Sequence, residues 1–245
     1  MRPHKRRRLL PKVAISYGIA LVQVTSVAAQ QPLRVASPDG KNEVIVAVTE
    51  GTLRYSVRRD GRALIFPSRL GFEFRGVAPL RDSVRIVDTS RKTFDTSWTQ
   101  PWGEVSRVRE RYNELRLTAA ETTPLGRRFV VAFRVFDDGV GFRYELPEQP
   151  NLRDFEVMDE LTEFAMADDA RAWWIPSNRP RMDRSEMLYS SSPISVIDSV
   201  QTPLTMETRD GRTAVVIHEA NLVDYARMNL AGSRMEQRTL RVALA

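Results

Sequence analysis

Phe129 to Pro147 reads FVVAFRVFDDGVGFRYELP, and this stretch decides the fold class. Two runs of apolar, β-branched and aromatic residues flank Asp137, Asp138 and Gly139, the composition of a β-hairpin closed by a tight turn. Val131, Phe133 and Val135 fall on one face of the first strand, and Val140, Phe142, Tyr144 and Leu146 share a face of the second. That face is core. On the opposite faces Val130, Ala132 and Gly141 are small or apolar, as expected of a central hairpin covered on both sides. Pro147 ends the second strand because it has no N–H to give to a ladder.

The same grammar recurs outward from this hairpin. Asp39-Gly40 precedes Glu43 to Thr49, where Val44, Val46 and Val48 alternate, and Leu53, Tyr55 and Val57 run into Asp60-Gly61. Ala63 to Phe66, Leu70 to Phe74 and Ser83 to Asp88 are each too short for a stable helix, and Asp210-Gly211 leads into another such run, Thr213 to His218. Four Asp-Gly turns between short strands predict an all-β sandwich. One segment resists: Val105, Val108, Tyr112 and Leu115 are spaced as on a helix face, so periodicity alone reads Gly103 to Leu115 as a helix.

Arg2, Lys5, Arg6, Arg7, Arg8 and Lys12 are followed by an apolar run from Val13 to Val22 and by Val27-Ala28-Ala29, the order of a secretory signal peptide. The run falls short of the roughly 20 residues a membrane span needs. Removing residues 1–29, which hold six Lys and Arg and no acid, leaves 31 basic and 31 acidic residues. The basic balance of the whole chain therefore belongs to the leader, and a nucleic-acid partner is not expected. Cysteine is absent, which excludes disulfides and thiolate chemistry. Residues 30–245 are expected to form one β-sandwich domain of an exported, periplasmic or extracellular protein.

Taken by type, the polar residues point to no complete site. Asp137 and Asp138 are turn formers. Glu160 and Glu163 read as a solvated edge, in keeping with the usual exposure of charged side chains. Trp173 and Trp174 point to opposite faces of a strand, so one can be exposed for stacking on a sugar ring, but core or domain-interface packing is the expected role of such large side chains. Trp98 and Trp102 read as pins holding a long loop to the sandwich. His218-Glu219, at a strand end, reads as a surface pair.

In order along the chain stand Ser37-Pro38-Asp39-Gly40, Ser68-Arg69-Leu70-Gly71, Ser97-Trp98 to Leu117 (SWTQPWGEVSRVRERYNELRL), Arg134 to Gly139 and Phe142-Arg143-Tyr144-Glu145. Glu160 to Phe164, Ala172-Trp173-Trp174-Ile175-Pro176 and His218-Glu219-Ala220-Asn221-Leu222 follow. Each motif is weak alone, but the ordered series resembles the N-terminal domain of glycoside hydrolase family 97. The resemblance implies a β-super-sandwich like that of galactose mutarotases. It therefore implies a strand from Tyr112 to Thr118 against the helix-like spacing.

Further implications concern function. Family members are exported bacterial α-glucosidases and α-galactosidases in which this sandwich precedes a catalytic (β/α)8 barrel. Thr239 to Ala245 reads as a strand cut before its partner, so the chain is expected to be a C-terminally incomplete domain with its barrel absent. The catalytic carboxyls of such an enzyme belong to that barrel, so none is assigned here. The resemblance implies that Glu219 reaches the barrel as a ligand to calcium, with the barrel completing the shell. The expected partners are that barrel and an α-linked oligosaccharide. A free-standing carbohydrate-binding module is the alternative, and needs a row of exposed aromatics. A mutarotase-type epimerase needs two histidines, and beyond the leader only His218 is present.

Overall fold

The computed structural model describes residues 30–177, 187–233 and 235–245, so the leader expected at 1–29 lies outside the described residues. In chain order the strands are β1 (Leu33–Ala36), β2 (Asn42–Thr49), β3 (Thr52–Arg59), β4 (Arg62–Arg69), β5 (Phe72–Phe74), β6 (Val77–Leu80), β7 (Val84–Thr99), β8 (Arg107–Glu121), β9 (Arg128–Phe136) and β10 (Val140–Glu145). They continue with β11 (Val157–Glu160), β12 (Glu163–Met166), β13 (Arg171–Trp174), β14 (Ser190–Pro193), β15 (Ser199–Gln201), β16 (Leu204–Glu207), β17 (Ala214–Ile217), β18 (Met228–Gly232) and β19 (Thr239–Leu244). A 3-10 turn at Ile194–Val196 is the one helical element among the described residues.

An eight-stranded sheet, β1-β2-β3-β4-β12-β19-β18-β15, packs on a four-stranded one, β10-β9-β8-β7. Two smaller sheets, β11-β5-β6 and β14-β13-β16-β17, extend the sandwich. The hairpin β9–β10 forms as the sequence requires: Val131, Phe133 and Val135 are fully buried, and Phe142 and Tyr144 pack against the same core. Tyr55 ties the layers together, its ring 6.0 Å from Phe133 and 5.2 Å from Phe142. Its hydroxyl donates to the Glu163 carbonyl at 2.8 Å, which satisfies the polar tip of an otherwise apolar contact.

All four Asp-Gly turns close hairpins, and all four lie at one end of the sandwich, here called the turn end. Asp39 N–H donates to Asp137 Oδ1 at 2.8 Å, and Arg62 meets Asp210 at 3.1 Å. Asn42 adds side-chain bonds to the carbonyls of Phe136 and Asp137. Between Asp60 and Gly61 both φ angles are positive, 48° and 74°, the two-residue turn whose twist matches its flanking strands. The opposite end carries the Glu50-Gly51 turn, the start of β7 and the last residue, Ala245. Val84 N–H bonds to Gly51 O there, and Ala245 N–H bonds to Arg227 O.

Two expectations are corrected. Gly103 to Leu115 holds no helix: from Arg107 it is the first part of the fifteen-residue strand β8. The strand expected from Tyr112 to Thr118 lies within it. Thr239 to Leu244 is not cut from its partner either, because β19 pairs with β12 on one side and β18 on the other.

Candidate functional site

The end of the sandwich that carries Ala245 gathers the unusual carboxylates. β11 ends at Glu160 and β12 begins at Glu163, so the corner between them lies at that end beside the loop from β17 to β18. Glu160 Oε2 accepts from the Tyr225 hydroxyl at 2.9 Å, and Oε1 accepts from Thr162 Oγ1 at 2.6 Å. Thr162 has then used its one hydrogen, so Tyr144 is the donor in its own 2.7 Å contact with that oxygen. Burial pushes the Glu160 carboxyl up, the two hydroxyl bonds work against this, and the charges of Glu219 and Asp159 push it further up. A carboxylate with two donors and like-charged neighbours suits a cationic ligand better than it suits isolation.

Glu219 follows β17 at the same end. It is half-buried, whereas His218 before it is exposed. Glu219 Oε1 accepts the Met228 N–H at 2.7 Å. Met228 in turn pairs with Leu244, so the carboxylate is fixed to β18 beside the last residues of β19. Hard carboxylate oxygens are suitable donors for calcium, but calcium takes about 6 to 8 of them. Among the described residues no group of three or more His, Cys, Asp or Glu side chains could hold a metal ion. What is present fits a contributed ligand, and does not make a site by itself.

Glu163 is not on a solvated edge. It is buried on β12, and Arg69 donates to it from its backbone N–H and from Nε, at 3.2 and 3.0 Å. Arg241 Nε, on β19, lies 3.1 Å away. Desolvation opposes the charge, but the Arg69 hydrogen bonds and the two guanidinium charges outweigh it and hold the carboxyl below its usual range. Glu163 therefore ties β4, β12 and β19 together.

The sequence reading also missed a buried pair. Glu121 and Arg127, both nearly inaccessible, join through Arg127 Nε to Glu121 Oε2 at 2.8 Å and Nη2 to Oε1 at 2.7 Å. Arg127 also donates from Nη1 and Nη2 to the carbonyls of Ala78 and Pro79, and its guanidinium lies 5.8 Å from the centre of the Phe74 ring. These bonds tie β6 to the β8–β9 hairpin, so the pair is structural. An acid and an arginine flanking the Thr122 to Gly126 turn were the available signal.

The tryptophans separate. Trp174 packs against the core and donates Nε1–H to Ser192 Oγ at 3.0 Å, while Trp173 is exposed. Trp98 and Trp102 do not pin a loop to the sandwich. They are exposed on a projecting hairpin, β7–β8. Near Trp173 runs a shallow groove of ≈ 430 Å³ lined by Arg171, Ser191, Glu207 and Arg209 among others, at the turn end.

The described residues thus form an antiparallel sandwich held by structural ion pairs, with Glu160 and Glu219 at one end. The comparisons name the kind. The family described as Glycosyl-hydrolase 97 N-terminal matches residues 35–245, and the chain belongs to that family. It is 24% identical over 219 residues to a retaining alpha-galactosidase of Bacteroides thetaiotaomicron, covering 85% of this chain and 31% of that protein. A glycoside hydrolase family 97 enzyme of Pseudoalteromonas sp., solved in complex with panose and with acarbose, superposes at TM-score 0.81 with 39% identity over 86% of this chain and 32% of its own. A solved beta-arabinopyranosidase shares the fold at TM-score 0.78 and 24% identity. The chain thus spans about a third of the length of these relatives.

Proposed function

We propose that this chain is the N-terminal domain of an exported family 97 hydrolase of α-glucosides or α-galactosides. In that enzyme it caps a following (β/α)8 barrel and lends the barrel Glu219 as a ligand to calcium. One observation carries the reading. Glu219 is held by the backbone of Met228, the cross-strand partner of Leu244, at the end of the sandwich where β19 finishes. A carboxylate placed there meets whatever follows. Glu160, with like charges around it, is the neighbour that a divalent cation would relieve. When bound, the ion supplies positive charge beside the substrate, and the part of this chain is to fix one carboxylate oxygen and leave the other free.

The test uses the full-length protein. Activity against free calcium is compared for wild type, Glu219→Gln and Glu104→Gln, the last making the same charge change on an exposed residue at the turn end. The Glu219 variant is expected to need more calcium for half-maximal activity, and the Glu104 variant is not. Superimposable curves for all three overturn Glu219 as the ligand. The 245 residues alone are expected to hydrolyse no p-nitrophenyl α-glucoside or α-galactoside.

A further inference from the structure

β8 pairs with β9 only as far as Tyr112, which meets Phe136, and from there outward β7 and β8 pair with each other alone. Asp95 to Thr99 and Arg107 to Arg111 therefore form a two-stranded arm that projects beyond the turn end. Its root is fixed. The rings of Phe94 and Tyr112 stack at 5.3 Å with 4° between their planes, and the Arg134 guanidinium covers Tyr112 from 4.7 Å. Arg109 grips Asp95 through two hydrogen bonds, which stiffens the arm's middle. Large apolar side chains stand open to water along the arm, Phe94 at the root 43% exposed and, past the Asp95 grip, Trp98 49% and Trp102 80% exposed.

β7 is also the outer strand of its sheet. A long edge strand is a template for pairing, and natural proteins blunt such edges with bulges, prolines or short strands. Here the one bulge falls between Ile86 and Asp88, and Asp88 to Thr99 then run in unbroken register with β8, without a proline.

We propose that this arm is a dimerisation element, the outer edge of β7 pairing antiparallel with β7 of a second copy of the same chain. The inference rests on the reading above in one respect, that the rest of the enzyme leads on from Ala245. That residue lies at the opposite end of the sandwich, so the arm points away from where the following domain starts. Self-pairing centred on Thr93 sets Arg91 across from the partner's Asp95 and Lys92 across from the partner's Phe94, and no like charges face each other. Parallel pairing in register would oppose Arg91 to Arg91 and Lys92 to Lys92, which costs stability. With roughly 150–250 Å² for a whole aromatic side chain, Phe94, Trp98 and Trp102 expose on the order of 400 Å² per copy. Two copies hold about 800 Å² of exposed aromatic surface, the most these side chains can bury, and the paired main chain adds to it, against the roughly 1,000 Å² expected of a specific interface.

A residue on a twofold axis faces itself, so the proposal is tested by cross-linking as well as by mass. Residues directly opposite in antiparallel strands have Cα atoms about 4.5 to 5.5 Å apart, within the range a disulfide spans. This chain has no cysteine of its own to confuse the result. In the full-length protein, wild type is expected to show the mass of two chains by light scattering, and Thr93→Cys to form a reducible covalent dimer on mild oxidation. Trp98→Glu with Trp102→Glu is expected to give the single-chain mass with activity retained. A wild type of single-chain mass, or a dimer that survives the double variant and leaves Thr93→Cys uncross-linked, overturns the proposal. So does a double variant of unchanged mass that loses activity or thermal stability, which would place the arm against its own downstream domain. None of these readouts depends on the calcium requirement that tests the proposed function.

Discussion

Glu160 accepts the hydroxyl hydrogen of Tyr225, 65 residues along the chain, at 2.9 Å and has no cation among the main groups that set its ionisation. Its carboxyl is raised in the folded state, chiefly by burial. A group raised on folding stabilises fully below its unfolded value, and that stability is lost as pH rises through the folded value. Near neutral pH the ionised Glu160 therefore works against the isolated domain. Glu160→Gln should raise the urea midpoint near neutral pH and change it little at mildly acid pH. An equal shift at both pH values would show that the charge is not the cause.

Glu163 behaves in the opposite sense. Its carboxyl is held down by Arg69 and Arg241, so its contribution is present above the ordinary carboxylate range and is lost as pH falls through the lowered value. Replacing Glu163 by Gln should cost about 1.5–3 kcal/mol near neutral pH, the worth of hydrogen bonds to a charged group. The cost should shrink in acid. A Gln variant with the wild-type denaturation midpoint near neutral pH would contradict this account of β4, β12 and β19.

For the inaccessible pair the asymmetry between one substitution and two is the test. Removing one partner strands a buried charge, and such losses are about 3–5 kcal/mol. Arg127→Met and Glu121→Gln should each fall in that range by chemical denaturation, while the double variant should lose less than the sum of the two. Additive losses would show that the groups do not act as a pair.

Asp39 reports on the turn end. Ser37 Oγ donates to it at 2.6 Å and the Lys41 N–H at 3.0 Å, and these bonds bring its carboxyl down from 3.8 to about 2. Its contribution is present above the ordinary value and disappears as pH falls from 3.8 to about 2. Asp39→Asn should flatten that part of the stability curve against pH. An unaltered acid limb would remove Asp39 from the account.

Local chemistry made the hairpins legible. Asp-Gly between alternating apolar runs needs no distant partner to declare itself, and the residues 129–147 hairpin and all four turns form where they were read. The helix-like spacing of Val105, Val108, Tyr112 and Leu115 misleads for a definite reason. Leu115 faces the core, while Tyr112, on the other face, is covered by Phe94, Phe136 and Arg134. Large apolar residues placed on both faces of a strand hide its period of two. Glu163 was misread because its partner Arg69 is 94 residues away, a separation at which charge pattern carries no information. Glu160 and Glu219 lie 59 positions apart in sequence, and only the closing of the eight-stranded sheet brings their loops to one end.

β19, the last of the described strands in chain order, enters the middle of the largest sheet. Until Thr239 to Leu244 emerge, β1-β2-β3-β4-β12 and β18-β15 are two separate ribbons with raw edges facing each other across a gap one strand wide. Such an intermediate is open to capture by any extended segment, including those of sister chains. A nascent chain of this protein therefore benefits from being kept unfolded until β19 is available. A ribosome stalled, or a protease cutting, just before Thr239 would release a species with much of its core in place and every tendency to aggregate.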